Sequence, residues 1–487
     1  MMLTAVIPAS DIAAAGEASV TVWNPAPGGG ESNEQLFGHM PVLLYPRLAS
    51  KGRTAGSGFD DSEFTGIAFT NVGTADAAVT FTAFDKGGAA LAGTGVTNTK
   101  VVPIGAGRQL PVIDYQIFGS GLGALNPLGW FRMESSAIGI LGFFLMFNET
   151  LSILDGTDVS SRTAGSYVLP EIEAVGFTQV HAVNPDVQPA EVLFKLLDAN
   201  GVVRAGAKRT VVPSAAAVER PAQLFPAVTA ASGDYVRAVS NRGVVLFEYL
   251  GKSGQYVEGL NGQDAEGGAT VLYSPQYAVG GGDWWTALSV VNLEDRPGVV
   301  TLRLIGDHGG QLGNTVVRTL AARGKLRIED QNIFVAAGSA LTQGYVKVES
   351  DGIRLAGSVV FGDPARSRFA SALPLVGRMK TDMVFSQLVS NATYFTGLAI
   401  LNPNPADVTV QIEAFDQWGN AIGSKEQVIG HRHRVSMLLT QHFPQLAGLH
   451  CAAGYIRVRS SAGVASFALF GTNSLSALSA VPAQDRP

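Results

Sequence analysis

Hydrophobic and polar residues alternate along much of this chain. Val79, Phe81 and Ala83, for example, alternate with Thr80 and Thr82. A period of two is typical of a β-strand that buries one face, and many such segments here end in turn-forming residues. Segments with the spacing of a long amphipathic helix are missing from the sequence. The pattern therefore predicts half-buried antiparallel β-sheet.

One pattern of residues recurs four times at a period of about 110 residues. It begins with an aromatic residue and a threonine, and an asparagine follows six residues after the threonine. The four copies are Phe64-Thr65…Asn71, Phe177-Thr178…Asn184, Trp285-Thr286…Asn292 and Phe395-Thr396…Asn402. An Asp-x-x-Gly turn comes later, at Asp85…Gly88, Asp198…Gly201, Asp307…Gly310 and Asp416…Gly419. A further strand then opens with Trp130, Tyr235, Tyr345 or Tyr455. Four homologous units are therefore expected.

The length of each unit indicates its architecture. Seven or eight short strands in about 110 residues favour a two-sheet sandwich over a propeller, whose blades are nearer 40–50 residues. We predict an all-β chain of four tandem antiparallel, immunoglobulin-like β-sandwich domains, preceded by a partial immunoglobulin-like segment. The boundaries are 1–40 for that segment and 41–163, 164–265, 266–378 and 379–487 for the sandwiches. Since each unit is large enough to have its own hydrophobic core, we expect separate domains arranged like beads on a string. We also expect the aromatic residue that opens the later strand (Trp130, Tyr235, Tyr345 or Tyr455) to act like a tyrosine corner.

The N-terminal segment carries a family resemblance. A Pro-Ala-Ser-Asp turn at 8–11, a Val-Thr-Val strand at 20–22 and an Asn-Pro-Ala-Pro-Gly-Gly-Gly turn at 24–30 follow one another. Their order and spacing resemble the C-terminal half of an IPT/TIG immunoglobulin-like domain. The four units resemble the tandem β-sandwich repeats of large secreted bacterial surface proteins, through the Asp-x-x-Gly turns and segments such as 467–471. The resemblance implies an extracellular or cell-surface location in a bacterium, although this chain begins without a signal sequence.

Composition and charge exclude several classes of protein. The chain has 34 Lys and Arg against 40 Asp and Glu, a net charge of −6, so it offers no basic footprint for nucleic acid. Its longest apolar run, at 138–147, is too short to span a bilayer. Its single cysteine, Cys451, cannot form an intramolecular disulfide. We therefore expect neither a nucleic-acid partner nor a membrane span, and folding must depend on burial.

Motifs for catalysis are not found in the sequence. A Gly-x-Ser-x-Gly nucleophile elbow is missing, and the segment at 251–253 lacks the first glycine of a phosphate-binding loop. The best metal candidate is the pair His431 and His433, which a strand would place on one face, but a third ligand cannot be identified. Solvated turn histidines are the alternative, and we favour it. The sequence thus predicts a chain that is not an enzyme and uses no cofactor or metal.

Two functions remain for such a chain. The first is a structural or adhesive scaffold whose partners are other copies of itself or other surface proteins. In this hypothesis the incomplete immunoglobulin-like segment leaves strands at 18–23 and 34–37 free to pair with another chain, and strand exchange builds a filament. The candidate assembly residues are Val20, Val22, Trp23 and Phe37.

The alternative is an array of carbohydrate-binding modules with a polysaccharide partner. Exposed aromatic rings stack on sugar rings, and Trp284 and Tyr394 stand at equivalent places in the third and fourth units. The competing interpretation of Trp284 is that it only covers one end of a sandwich. An enzyme whose site is assembled from distant loops would leave no local motif and is a third, less favoured, hypothesis.

Overall fold

The computed structural model describes residues 16–20, 35–39, 42–56, 60–335, 340–447 and 451–486. Nearly all of its regular structure is β-strand in antiparallel sheets, so the predicted all-β sandwich class is confirmed. Within these ranges no helix has the length and apolar character that a membrane crossing requires. At the N-terminus, β1 (Gly16–Val20) pairs with β2 (Gln35–His39) in a two-stranded sheet.

The first repeat is a sandwich of two four-stranded sheets. Its strands are β3 (Val42–Ala49), β4 (Phe64–Asn71), β5 (Ala77–Asp85), β6 (Lys100–Ile104), β7 (Gln109–Ile113), β8 (Leu128–Ser135), β9 (Ile140–Phe147) and β10 (Leu154–Asp158). Two short helices, α1 (Asp114–Phe118) and α2 (Leu122–Leu125), lie between β7 and β8. The sheet orders are β3-β8-β5-β6 and β10-β9-β4-β7. The alternating burial along β5 follows the predicted period of two.

The second repeat has the same plan, but one long strand serves both sheets. Its elements are β11 (Ala164–Leu169), β12 (Phe177–Val183), β13 (Ala190–Leu197), β14 (Val203–Val211), β15 (Ala216–Glu219), α3 (Pro221–Leu224), β16 (Tyr235–Lys252), β17 (Tyr256–Asn261) and β18 (Gln263–Asp264). The first half of β16 pairs with β11 and β13, and the second half pairs with β12 and β17. A continuous strand thus replaces the separate β8 and β9 of the first repeat.

The third repeat has the same strand arrangement as the first, and the fourth has the same arrangement as the second. The third contains β19 (Val271–Val279), β20 (Trp285–Asn292), β21 (Gly298–Ile305), β22 (Gln311–Leu320), β23 (Lys325–Ile328), β24 (Thr342–Ser350), β25 (Leu355–Gly362) and β26 (Ala370–Pro374). The fourth contains β27 (Lys380–Phe385), β28 (Tyr394–Leu401), β29 (Val408–Asp416), β30 (Ala421–Ile429), β31 (Arg434–Leu438), α4 (Leu439–His442), a 3₁₀-helix (Pro444–Leu446), β32 (Gly454–Thr472), β33 (Leu478–Pro482) and β34 (Gln484–Asp485). Like β16, β32 spans both sheets.

The recurring threonine ties the two sheets of each sandwich together. Thr65 Oγ1 both accepts from and donates to the main chain of Ala49, at 3.1 and 3.0 Å. Thr286 and Thr396 make the same two bonds to Ala278 and Val389. In the second repeat Thr178 instead accepts from the amide of Glu173. These bonds hold the first strand of each repeat, or the segment just after it, against the strand that carries the motif.

The recurring asparagine fixes a turn at the edge of each sandwich. Asn71, Asn184, Asn292 and Asn402 are all fully buried. In each, the side-chain amide donates one hydrogen bond to the main-chain carbonyl four residues later in the sequence. It donates a second to a main-chain carbonyl at the end of the strand that precedes β7, β15, β23 or β31. The turn that follows contains a residue at positive φ: Gly107, Ser214, Arg323 or Arg432.

Each of these turns binds the preceding repeat through two equivalent hydrogen bonds. Trp130 Nε1 donates to Ser214 O, and the hydroxyls of Tyr235, Tyr345 and Tyr455 donate to Arg323 O, Arg432 O and Gly107 O, at 2.6–2.9 Å. The amides of Ala216, Lys325, Arg434 and Gln109 donate to turn carbonyls of the preceding repeat. The last pair runs from the fourth repeat to the first. The four sandwiches therefore close into a ring.

Ring closure corrects two expectations. The repeats are not beads on a string, because each contacts the repeats on both sides of it. The aromatic expected to form a tyrosine corner donates to a neighbouring repeat instead, which explains why tryptophan can replace tyrosine at Trp130.

In the third repeat the recurring turn geometry falls at 306–309, with Gly309 at positive φ, rather than at Asp307…Gly310.

The centre of the ring is formed by the last strands of the second sheets. There β10 contacts β17 and β33, and β26 contacts the same two strands. Asp155 on β10 accepts from the amide of Gly259 at 2.9 Å and from Ser371 Oγ at 2.8 Å. Ser371 Oγ in turn accepts from the amide of Ala480 at 2.9 Å. One carboxyl group and one hydroxyl group thus link all four repeats in the interior, where burial raises the pKa of Asp155 well above its usual range.

Candidate ligand-binding chambers between the repeats

Equivalent positions of successive repeats meet at the interfaces of the ring. Arg47 follows Pro46 in a bulge of β3, where the register with β8 shifts between Tyr45 and Leu48. A bulge re-aims side chains, and here it directs Arg47 at the second repeat, where its guanidinium lies 4.0 Å from the centre of the Tyr249 ring. The equivalent Glu171 and Gln276 likewise reach Arg327 of the third repeat and Arg434 of the fourth.

The interface of the first and second repeats forms a pocket of about 560 Å³ that is open to solvent on one side, which we call the first chamber. Small-molecule sites usually have volumes of about 300–1,000 Å³. The first repeat contributes Arg47, Lys51, Asp61 and Glu63 to its walls. The second repeat contributes Phe177, Gln179, Arg220 and Tyr249. Cations, carboxylates, an amide and aromatic rings therefore converge on one space.

Arg47 is the most deeply buried cation of the first chamber. Its side chain is 3% exposed, and Nη2 pairs with Glu63 Oε1 at 2.6 Å. Nε and Nη1 of Arg47 have no hydrogen-bond partner among the described residues. The Tyr249 hydroxyl also donates to Glu63 Oε1, at 3.1 Å. Burial, together with the charge of Arg47, lowers the pKa of neighbouring His181 well below its usual range, so this imidazole is neutral.

The carboxylates at the mouth of the first chamber are held in their ionised form. Although burial opposes it, hydrogen bonds from Ser62 and Thr150 lower the pKa of Asp60 to about 2. Asp61 accepts from Lys51 Nζ at 2.7 Å, and this bond together with those from Thr54 lowers its pKa further. Such groups are hydrogen-bond acceptors at neutral pH. They are poor proton donors and are therefore unsuited to act as general acids.

A smaller, more apolar cavity lies at the interface of the third and fourth repeats. This second chamber has a volume of about 220 Å³. Gln276, Trp284, Phe395 and Leu469 stand where the first chamber has Arg47, Glu63, Phe177 and Tyr249. The ring of Trp284 packs edge-on against Phe369, with centroids 5.7 Å apart. The position of Glu63 in the first chamber is therefore occupied by the aromatic side chain of Trp284 in the second.

The equivalent space between the second and third repeats is filled by ion pairs. Arg366 pairs with Glu173 and Glu258 and lies over the ring of Trp285, at 4.7 Å. Close by, Glu171 pairs with Arg327 and accepts a hydrogen bond from Ser358. Burial raises the pKa of Glu258 to about 7 and that of neighbouring Glu248 well above its usual range. This network joins the two repeats where the first chamber leaves a cavity.

The structure places the two predicted stacking residues apart. Trp284 is half-buried and lines the second chamber. Tyr394 is half-buried and packs in the apolar cluster where the fourth repeat meets Phe143 and Leu154 of the first. Neither is a flat, fully exposed ring. Among the described residues a more exposed aromatic is Trp418, at 60%, next to Arg108.

The remaining predicted residues are only partly described. Val20 and Phe37 lie in the paired strands β1 and β2, and Val22 and Trp23 lie outside the described residues. His431 and His433 have ring centroids 6.2 Å apart, and His308 of the third repeat approaches His433. Across the described ranges no group of three metal-ligating side chains comes together, and His450 lies outside them.

Sequence reasoning missed Arg47 and Tyr249. A signal for Arg47 was available, because a proline precedes the equivalent residue in three repeats while that residue itself changes from Arg to Glu to Gln. When a position recurs in several repeats but the charge of its side chain changes, the repeats are expected to differ in function at that position. Glu63 lies in the same repeat as Arg47. Tyr249 belongs to the second repeat and becomes a neighbour of Arg47 only through ring formation, which the sequence did not predict.

Comparisons with known proteins add little. The chain matches no protein-family model and no curated protein. Among solved structures it is similar to dimeric latent PorU of Porphyromonas gingivalis, with 10% identity and a TM-score of 0.14 over 71% of this chain and 32% of PorU. It therefore spans about a third of that protein. A glycoside hydrolase family 32 structure from Bifidobacterium adolescentis gives 10% identity and a TM-score of 0.13, over 89% of this chain and 99% of that one. At these scores neither likeness bears on fold or function.

Proposed function

We propose that the chain is a non-catalytic structural or adhesive protein of the bacterial surface, a rigid scaffold that holds binding sites in fixed relation. The observation that carries this proposal is the hydrogen bond from Tyr455 to Gly107, with its companion from Gln109 N to Gln417 O, which closes the ring. A string of domains would move about its linkers. A closed ring restrains every repeat on two sides, so its loops keep their relative positions.

The chemistry of the interfaces also favours binding over catalysis. Enzymes that use a carboxyl group as general acid raise its pKa towards the working pH. Asp60 and Asp61 of the first chamber have lowered pKa values. The buried carboxyl groups whose pKa rises, such as Asp155 and Glu258, contact main-chain amides and cations inside the ring. Their arrangement serves the joining of repeats.

Assembly with other copies of this chain is the partner interaction that the N-terminal strands support. Strands β1 and β2 pair with each other and join none of the other described sheets. A two-stranded sheet is marginally stable by itself, and an added strand would satisfy its free backbone groups. In this proposal a strand from a second chain completes the immunoglobulin-like segment, and the ring is the unit that becomes assembled.

Light scattering, electron microscopy and activity screens of the purified chain test this proposal together. We expect particles with four lobes around a centre, a mass of 50.8 kDa at high dilution, and larger assemblies as concentration rises. We also expect no turnover of fluorogenic glycosides, esters or peptides. Turnover that an Asp61→Asn, Glu63→Gln variant abolishes would contradict the non-catalytic assignment. An extended string of four particles would remove its structural basis.

A further inference from the structure

We infer that the first chamber binds a neutral carbohydrate, one or two sugar units in size. This inference goes beyond the scaffold role, because it assigns a ligand to a cavity and does not require that the ring assemble. It also moves carbohydrate recognition from Trp284 and Tyr394, which the fold places apart, to the interface of the first and second repeats.

The chamber wall presents donors and acceptors side by side. On the first repeat, Arg47 pairs with Glu63 at 2.6 Å and Lys51 pairs with Asp61 at 2.7 Å. Each carboxylate oxygen can accept more than one hydrogen bond, and each ammonium group donates three. A sugar hydroxyl is both a donor and an acceptor. Vicinal hydroxyls can therefore bridge the two members of an existing ion pair without breaking it.

The same ion pairs argue against charged ligands. An anion would have to compete with Glu63 for Arg47 and with Asp61 for Lys51, and it would meet Asp60 close by. A zwitterion such as an amino acid would have to open both pairs. Because the three cations that line the chamber (Arg47, Lys51 and Arg220) balance its three carboxylates (Asp60, Asp61 and Glu63), the chamber gains most from a ligand that carries hydroxyl groups and no charge.

The second repeat supplies the apolar surface that a sugar ring needs. Phe177 is half-buried and lines the chamber. Tyr249 lies behind it, with ring centroids 5.1 Å apart, and is largely buried because Arg47 lies over its ring. The guanidinium of Arg220 lies 5.8 Å from the centre of the Phe177 ring, at the exposed side. Gln179 adds an amide, which offers both a donor and an acceptor. Aromatic faces with a few placed polar groups are the usual composition of a specific small-molecule pocket.

The second chamber gives an internal comparison. Its volume is about 220 Å³ against about 560 Å³, and Trp284 and Leu469 replace Glu63 and Tyr249. It has lost the ion pairs that would hold hydroxyl groups. If binding depends on the wall chemistry, and not merely on a gap between two sandwiches, the first chamber will bind sugars and the second will not.

Ligand-observed saturation-transfer NMR on the full chain tests the inference. The probes are glucose, galactose, mannose, xylose, N-acetylglucosamine, cellobiose, maltose and lactose, with glucuronate and glycine as charged comparisons. We expect at least one neutral sugar to receive saturation from the protein, and the charged compounds to receive less. A titration of the strongest neutral probe then gives its Kd for the variants.

Two rim substitutions separate binding from folding. A Lys51→Met, Arg220→Ala variant changes side chains that reach solvent, so its ring should form as in the wild type. We expect it to weaken binding of the strongest neutral probe at least tenfold. The matched control is Gln343→Ala at the second chamber, which should leave the Kd within twofold. The urea midpoint of each variant verifies that the ring is intact.

Four results would each overturn the inference. Two concern the ligands: failure of every neutral sugar in the panel to bind, and preferential binding of glucuronate or glycine. The other two concern the variants: binding that is unchanged in Lys51→Met, Arg220→Ala, and binding that is lost in the second-chamber control. None of these results would alter particle shape or assembly. The scaffold proposal and the sugar site therefore succeed or fail separately.

Discussion

The hydroxyl of Tyr455 donates a hydrogen bond to the main-chain carbonyl of Gly107 at 2.9 Å, joining residues 348 positions apart in sequence. Three equivalent bonds connect repeats that are already neighbours along the chain. Of these four equivalent bonds, the one from Tyr455 connects the last repeat to the first. It belongs to the interface on which closure depends, because that interface has no short covalent connection between its two sides.

Replacing Tyr455 with phenylalanine should lower the free energy of unfolding by about 1 kcal/mol. The change leaves the ring and its stacking on Phe415 in place but removes the donor to Gly107 O, and a hydrogen bond of this kind contributes about 0.5–1.5 kcal/mol. Urea unfolding followed by fluorescence measures the effect. The control is Tyr273→Phe, since Tyr273 is half-buried at another interface and its hydroxyl has no partner in the described part of the chain. Equal midpoints for the two variants would mean that the bond does not hold the ring.

A methyl group at position 419 should interfere with closure more directly. Gly419 has a φ of +87°, and a Cβ there would lie 2.6 Å from Gly107 O. Gly254 has a φ of +72°, but a Cβ there would meet open space. Both Gly→Ala variants carry the backbone strain of a left-handed residue, about 1 kcal/mol.

The difference between these two variants isolates the contact between repeats. Since the fourth repeat can relieve the overlap only by moving away from the first, we expect Gly419→Ala to lose about 1–3 kcal/mol more than Gly254→Ala. Chemical unfolding gives that difference. Small-angle scattering on Gly419→Ala should show a larger radius of gyration. If the two variants unfold at the same urea concentration, this interface tolerates displacement and the ring is not tightly closed.

The fold of each repeat could be predicted from local pattern, but the ring could not. The period of two, the turns and the spacing of Thr65 and Asn71 all report interactions within one sandwich, where neighbours along the chain supply the partners. Ring formation depends on Trp130, Tyr235, Tyr345 and Tyr455, whose recurrence was visible. Their acceptors are main-chain carbonyls, which carry no sequence signature.

The first chamber was hidden for a related reason. Its polar wall comes from Arg47 and Glu63 of one repeat, and its aromatic wall comes from Phe177 and Tyr249 of the next. Each residue is ordinary in its own strand, and they become a site only when two sandwiches dock. The sequence favoured Trp284 as a binding residue because it adjoins a second tryptophan, Trp285. In the fold, packing against Phe369 covers part of the surface of Trp284.

The buried carboxyl group of Glu258 should make stability depend on pH. Burial raises its pKa to about 7, and Glu173 and Glu171 add to this effect while Arg366 opposes it. Between about pH 4.5 and pH 7 the unfolded chain has lost this proton and the folded chain retains it, so stability falls as pH rises through that range. Glu258→Gln removes the proton equilibrium while keeping the shape of the side chain.

The stability of Glu258→Gln relative to the wild type should therefore rise from pH 5 to pH 7, by at most about 1.4 kcal/mol per pH unit, and level off above pH 7. Urea unfolding at pH 5, 6, 7 and 8 gives the curve for both proteins. Glu191→Gln is the comparison, because Glu191 is half-exposed in a surface ion pair with Lys208, and such a pair contributes little. A difference that stays constant with pH, or that rises as pH falls, would show that Glu258 is ionised in the folded ring throughout.

Deletion of residues 1–40 should separate ring formation from assembly. The described contacts that close the ring all lie after Val42, so the shortened chain should keep the unfolding midpoint and far-ultraviolet spectrum of the full chain. It lacks β1 and β2, the two strands that join no other described sheet and whose backbone groups would pair with a second chain. Light scattering across a hundredfold range of concentration should therefore show larger assemblies for the full chain and a constant mass for the shortened one. If both chains assemble alike, strand exchange is not the mechanism, and attention moves to exposed surfaces of the ring such as the one around Trp418.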